Sequence, residues 1–534
     1  MTAIIDSGHL TKYFEQSRVG QETLPLLLRK LCCATCAFGD LRTIEIPGGE
    51  DVSVAGYDGV IEFAGSHRFI PTGRSVWELG TSTHPAAKAT ADFNKREPDP
   101  DTTYIALTPH RWPGSRSWAE DRARSGWKQV RAYDGPSIAQ WLSDAPAVDR
   151  WLAAEFGVPV DGRLDLYQFW KEQCALYGPS LTPELVVGGR DEEREILQKH
   201  RDGRICEVAI LAESIEEGAL FIAAAFLLGG EAMEGVRNRL LFVGSASAAE
   251  WASSAAIAQF LVPMTNAAFQ RMAGVSGTSP HILRPVTNSP GAQPPSASAV
   301  IRLGPVKRTA TVGALRERGM DEREANRVAE ECKGSLSAVL WTVSNNFNVK
   351  FDWLVGENAP QIAPLLLAGQ WDASNNVDSV TLGRLTNRPP DGTQGILGKW
   401  SSPTGPMAKR GQVWEWRAWS FNWSALTGAF YPELIERFSR VAVDVLTTRD
   451  PQLDIPVENR WAAVLFGKQH PISADLRGGL VRSVVRCAID APDCPILAGV
   501  AEDIVGRVLP VSFDAWQSLA KWLPDLAEAA PNIF

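Results

Sequence analysis

The stretch Gly56-Tyr-Asp-Gly-Val-Ile-Glu-Phe-Ala-Gly-Ser-His-Arg-Phe-Ile-Pro-Thr-Gly-Arg-Ser-Val-Trp-Glu-Leu-Gly80 decides how the first third of this chain is read. Two short runs of β-forming residues flank a loop rich in turn formers, the pattern of a β-hairpin with a long connection. Asp58 opens the first strand and Glu78 closes the second, so antiparallel pairing brings the two ends side by side. Converging carboxylates repel unless a cation lies between them, and Mg²⁺ is the usual one in phosphate chemistry. Gly56 and Gly59 flank Asp58 and leave room for close approach. A Gly-Tyr-Asp-Gly run also suits a plain turn.

Working outward, residues 10–36 carry Leu24, Leu27, Leu28 and Leu31 at helical spacing, and LRTIEIP reads as a strand before the hairpin. After it come an Ala-rich helix from Pro85 to Arg96, a strand TTYIALTP, a strand QVRAYD and a helix SIAQWLSDAPAVDRWLAAEF. This ordered set resembles the PD-(D/E)XK nuclease fold, closest to Mrr-like restriction endonucleases. The resemblance implies that Asp58 and Glu78 hold Mg²⁺. In that family a lysine two residues after the glutamate positions or activates the attacking water, but that position here is Gly80. Family members can take the lysine from the following helix, where Lys88 and Lys95 stand seven apart on one face. Lys88 is the first choice and Lys95 a weaker one, as is Glu62 on the hairpin, and Glu22 on the first helix corresponds to an accessory acid of the family. The resemblance implies a Mg²⁺-dependent DNA endonuclease.

The following segment, RWPGSRSWAEDRARSGWKQVR, sets Arg111, Arg116, Arg122, Arg124, Lys128 and Arg131 against only Glu120 and Asp121, with Trp112, Trp118 and Trp127 between them. Such a segment suits contact with a phosphate backbone, and equally a solvated loop anchored by its tryptophans.

From Leu181 the pattern changes. A charged helix (GRDEEREILQKHRDG), an apolar strand (ICEVAILAE), an apolar helix (EEGALFIAAAFLLG) and a strand (RLLFVGS) form a βαβ unit. PVTNSPGAQPPSASA reads as a linker or long surface loop, residues 303–345 as a small helical subdomain, and the rest as helical with Trp-rich loops. The order resembles the nucleotide-binding core and lid of STAND-type P-loop ATPases of prokaryotic defence systems. Its phosphate loop does not follow: Ala212-Glu213-Ser214-Ile215-Glu216-Glu217-Gly218 has no lysine and three acids that repel a triphosphate. No nucleotide-binding residues are therefore expected.

The expected fold class is multidomain α/β plus α. A restriction-endonuclease-like α/β domain is expected at 1–165, a degenerate P-loop-like α/β domain at 166–300, a helical lid at 301–345 and a helical C-terminal region at 346–534. Over 534 residues, 45% hydrophobic and 22% charged, the composition is that of a folded protein. A net charge of −9 argues against a wholly basic nucleic-acid wrapper. No secretory pattern opens the chain, and the apolar run Ala219–Leu228 is too short to span a bilayer, so a cytoplasmic location without a membrane partner is expected. Cys32, Cys33 and Cys36 read as small buried hydrophobes rather than zinc ligands. The 19 tryptophans, several of them in the last third, read as packing residues ahead of a stacking surface. DNA, a phage-derived or protein trigger, and a further copy or partner subunit are the expected partners. The final LPDLAEAAPNIF leaves open whether more chain follows. The competing reading is a nuclease-type fold kept as a catalytically inactive binding or assembly module.

Overall fold

In the computed structural model, described residues are 3–15, 19–37, 39–46, 56–160, 162–178, 181–202, 206–253, 258–273, 280–287, 297–344, 352–354, 356–401, 405–463, 465–509 and 513–534. The chain forms two compact units, one of Met1–Ala175 and Leu181–Gly304, the other of Leu176–Ser180 and Pro305–Phe534. The first takes in the stretches expected as nuclease-like and P-loop-like domains, apart from Leu176–Ser180.

Helices α1 (Ser7–Glu15) and α2 (Val19–Thr35) open the first unit. Strands β1 (Leu41–Glu45), β2 (Gly59–Phe63), β3 (Gly73–Leu79), β4 (Thr103–Leu107) and β5 (Gln129–Tyr133) form one sheet in sequence order. The first three are antiparallel; β4 and β5 continue parallel to β3. Alternation along β3 divides its side chains between two cores. Trp77 points into a cluster with Ile61, Ile105, Leu24, Leu28 and Trp141. Val76 points the other way, toward Tyr104, Ala89, Trp118 and Trp127. Helix α3 (Pro85–Phe93) supplies Ala89 to that second face, and α4 (Ser115–Asp121) supplies Trp118. The helix expected after β5 is two: α5 (Gly135–Asp144), whose N-cap Asp134 accepts from the Ser137 amide, and α6 (Pro146–Glu155). Pro146 cannot continue α5, because it lacks the amide donor and its ring clashes with the preceding turn.

The second sheet of this unit contains β6 (Arg163–Asp165), β7 (Glu207–Ala212), β8 (Leu240–Val243), β9 (Phe260–Pro263), β10 (His281–Thr287) and β11 (Ala299–Arg302). Their order is β11-β7-β10-β9-β8-β6, with all neighbours parallel except β6. Further helices are α7 (Leu166–Tyr177), α8 (Pro183–Val187), α9 (Asp191–Lys199), α10 (Ile215–Leu227), α11 (Glu234–Arg237), α12 (Ala246–Ser253) and α13 (Asn266–Ala273). The loop expected from Pro285 onward needs correcting at its start: Pro285–Thr287 belong to β10. The part at 288–296 lies outside the described residues. Gly218 lets α10 lie against β10, since a Cβ there would stand 2.7 Å from that of Pro285.

The second unit is mainly helical. The expected helical subdomain is α14 (Arg308–Glu317), α15 (Glu322–Cys332) and α16 (Leu336–Ser344). The remainder is not helical throughout: β12 (Gln370–Asp372), β13 (Met407–Arg410) and β14 (Val413–Trp416) form a three-stranded antiparallel sheet. Trp400, Trp414, Trp416, Trp419 and Trp423 are all buried, and the indoles of Trp416 and Trp419 donate to the Leu365 and Leu366 carbonyls. They are packing residues. Among the described residues no helix is long and apolar enough to cross a membrane.

Candidate active site

Gly59 pairs with Trp77, so one step beyond that pair sets Asp58 opposite Glu78 at the end of the β2–β3 hairpin. Asp58 is half-buried, and its Oδ2 accepts from the Leu79 amide at 2.7 Å. Glu78 is only 6% exposed and lies on the same face as Val76, the face that α3 covers. Burial pushes its carboxyl up to about 7; the Arg96 hydrogen bond works against that, and the nearby Asp58 and Asp92 charges add to it.

Two residues that the sequence did not mark as site candidates complete the cluster. Asp92, on α3, is buried and accepts from Lys88 Nζ at 2.7 Å and Lys95 Nζ at 3.2 Å. Arg96, just beyond α3, donates from Nε to Glu78 Oε1 at 2.5 Å, bonds the Gly56 carbonyl and stacks on Tyr57 at 4.6 Å. The available signal was spacing: Lys88, Asp92 and Arg96 recur every four residues, the interval of one helix face. Three acids thus face three cations.

The two lysines are not equivalent. Lys88 shares a narrow slot with Glu78, Asp92 and Gly80. Its Cγ lies 3.2 Å from where a Cβ at Gly80 would stand. Its stem therefore fills the space that a side chain at position 80 would need. Lys95 is 67% exposed and touches the cluster only through Asp92. Glu62 points to solvent on β2, and Glu22 is exposed on α2.

Among the described residues no three His, Cys, Asp or Glu side chains form a ready-made metal cage. Asp58 and Glu78 remain as a pair. Each uses one oxygen in the bonds above, and the Tyr104 hydroxyl beside them is buried without a hydrogen-bond partner. Two carboxylates and a hydroxyl are hard oxygen donors. Mg²⁺ is commonly held by one or two carboxylates with water completing its shell, so the donor set fits that ion. Cys32, Cys33 and Cys36 are buried thiols, the last two pushed up to about 12 by burial.

The basic segment divides. Trp112, Trp118 and Trp127 are buried under the sheet, as a segment anchored by its tryptophans requires, and do not interleave with cations at a surface. Arg122 stacks on Trp118 at 4.3 Å and donates to its carbonyl, and Arg131 donates to Gln129 and Tyr133, so both have structural partners. Arg111, Arg116, Arg124 and Lys128 are exposed, Arg116 in an ion pair with Glu120.

At the C-terminal end of β7, where a phosphate loop would stand, Ser214 caps α10 by accepting from the Glu217 amide at 3.0 Å. Glu217 reaches back to the Glu213 amide at 2.7 Å and pairs with Arg190 at 2.7 Å. This Ser-x-x-Glu arrangement is a variant capping box. A carboxylate of the chain itself occupies the anion-binding end of the helix.

No family model matches this chain, and no curated protein matches it. Among solved structures it is similar to a STAND (Signal Transduction ATPase with Numerous Domains) protein with a tetratricopeptide repeat sensor from Pyrococcus horikoshii, at 11% identity and a TM-score of 0.20. The match covers 64% of this chain and 63% of that protein, less than two thirds of its length. A TM-score of that size is no basis for a shared fold, and the strand orders and side chains stand on their own.

Proposed function

We propose that residues 1–165 are a Mg²⁺-dependent DNA endonuclease module and that the rest of the chain is a regulatory scaffold that does not hydrolyse ATP. The observation that carries this reading is the pairing of Asp58 with Glu78 while Lys88 fills the space beside Gly80. Asp58 and Glu78 would hold the ion. When bound, Mg²⁺ supplies charge stabilisation for attack of water on a phosphodiester. Lys88, aligned by Asp92, would place its ammonium beside the attacking water or the charge that develops on phosphate. Exposed Arg111, Arg116, Arg124 and Lys128 would steer the DNA backbone. A role in defence against phage or foreign DNA, with a phage-derived or protein trigger, rests on the resemblance alone.

Arg96 favours a second reading. It supplies the cation that Glu78 needs, and the lysines supply those of Asp92, so the cluster is neutralised without metal, as a non-catalytic binding or assembly module would require. Plasmid cleavage with and without Mg²⁺ separates the two. The nuclease reading expects Mg²⁺-dependent nicking that Asp58→Ala abolishes. Equal cleavage by the variant removes Asp58 from the chemistry. Inert wild type and Arg96→Ala proteins at millimolar Mg²⁺ leave the second reading standing.

A further inference from the structure

A cavity of about 520 Å³ lies in the first unit, walled by α2, β1, α11 and the start of β9. Six charged side chains line it: Arg29, Arg42, Arg201 and Arg239 against Glu231 and Glu234. Glu234 is already committed, with both oxygens taken by Arg29 at 2.7 Å. Arg239 is different. Its guanidinium bonds the Cys36 carbonyl, its buried Nε has no hydrogen-bond partner, and no carboxylate among the described residues pairs with it. Burial holds it below the ordinary arginine range, and the only opposing influences are the thiols of Cys36 and Cys33. Those thiols are protonated at neutral pH, because burial pushes both up to about 12, so they supply no counter-charge.

An arginine stays charged in a protein, and a largely desolvated charge without a counter-charge is costly. Arg239 thus brings a charge without a counter-ion to the wall of the cavity. Arg239 and the exposed Arg42 pair with no carboxylate among the described residues, which suits an anion here, and guanidinium forks match phosphate oxygens. Inorganic phosphate would fill only a corner of the space, which lies within the roughly 300–1,000 Å³ of small-ligand sites. Ile44, Val236 and Phe260 give the cavity an apolar side.

We infer that this cavity binds a small phosphate monoester, with the phosphate on Arg239 and Arg42 and the organic body against Phe260. The site is separate from the candidate active site and does not depend on its chemistry.

Calorimetric titration of the full chain with adenosine 5′-monophosphate, ribose 5-phosphate, inorganic phosphate and adenosine tests it. At least one ester should bind saturably and raise the melting temperature, with inorganic phosphate weaker by roughly tenfold and adenosine silent. Arg239→Met should weaken the ester by roughly tenfold or more and Arg42→Ala several-fold. Asp58→Ala should bind it like wild type, whatever becomes of DNA cleavage. Should Arg239→Met fail to fold, exposed Arg42 carries the test alone. Silence with both esters, affinity unchanged by these arginine substitutions, or loss on Asp58→Ala overturns the inference.

Discussion

Two arginine–glutamate pairs in the first unit have the same chemistry and opposite settings. Arg96 meets Glu78 at 2.5 Å with its side chain 25% exposed, beside two further acids. Arg190 meets Glu217 at 2.7 Å with both partners at most 4% exposed. Arg190 also donates to the carbonyls of Val186, Val187 and Gly304, and Glu217 also accepts the Glu213 amide. At the sheet end, water reaches the guanidinium and one glutamate oxygen is left over, so the pair can open to another cation. In the core every member is tied to backbone, and the pair closes the loop after β7. What separates a site from a structural plug is the number of other partners the arginine has.

The largest expected effect comes from breaking the sealed pair. Glu217→Leu or Arg190→Leu alone leaves a buried charge unpaired and should cost about 3–5 kcal/mol, whereas the double replacement should be far milder. Arg96→Ala should cost roughly 1 kcal/mol or less, as for a partly solvated pair. Urea denaturation of the four variants, followed by tryptophan fluorescence, compares them. Equal costs at the two sites would erase the distinction.

The hairpin was legible because two short β-forming runs bracketed by Gly and Pro permit only one pairing of Asp58 with Glu78. Asp92 and Arg96 were not, because their approach depends on how Ala89 and Phe93 seat α3 on the sheet, a tertiary fact with only a four-residue spacing to announce it. The tryptophans of the basic segment left two readings open for a related reason. Trp112, Trp118 and Trp127 follow no helical or strand period, yet all turn inward under β4 and β5. In the second unit, Val-Trp-Glu-Trp after Gly411 carried a strand alternation that the density of tryptophan obscured. Ser214 and Glu217 spelled a capping box, though the loop was weighed only as a failed phosphate site.

Next in size is catalysis. Lys88→Ala should slow Mg²⁺-dependent cleavage by about 10²–10³, the scale of losing one group aimed at developing charge. Metal binding, followed by calorimetry, should survive. Gly80→Lys added to Lys88→Ala should restore much of the rate, because removing the Lys88 stem clears the space beside position 80. Lys95→Ala should change the rate only several-fold. Failure of the rescue, with metal still bound, would leave Lys88 a partner of Asp92 and nothing more.

A smaller effect should appear in stability against pH. The Glu78 carboxyl is raised to about 7 in the folded protein, against an ordinary value of 4.5. The folded state thus keeps a proton that the unfolded chain has lost. Its stability falls as pH rises from about 4.5 through 7 and is unpenalised below that window. Glu78→Gln does not titrate, so it should gain on wild type by roughly 1–3 kcal/mol at pH 8 and little at pH 4. Asp149, also pushed up to about 7, titrates in both proteins and cancels in the difference. A difference independent of pH would mean that Arg96 already holds Glu78 ionised.

The smallest expected signal is none, and it tests the sealed pair as a lock. Titration of the full chain with ATP and Mg²⁺ should give no saturable heat that depends on the loop after β7. A phosphate there would face Glu213, Glu216 and Glu217 with no loop lysine. It would also have to displace a tethered carboxylate that already takes the loop amide and the Arg190 guanidinium. Opening the pair strands Arg190 among backbone carbonyls and exposes the end of α10, at a cost like that of the single substitutions. Micromolar affinity lost on Glu217→Gln would overturn this. It would make Arg190–Glu217 a gate of the same kind as Arg96–Glu78, and the difference in exposure between the two pairs would then have no functional consequence.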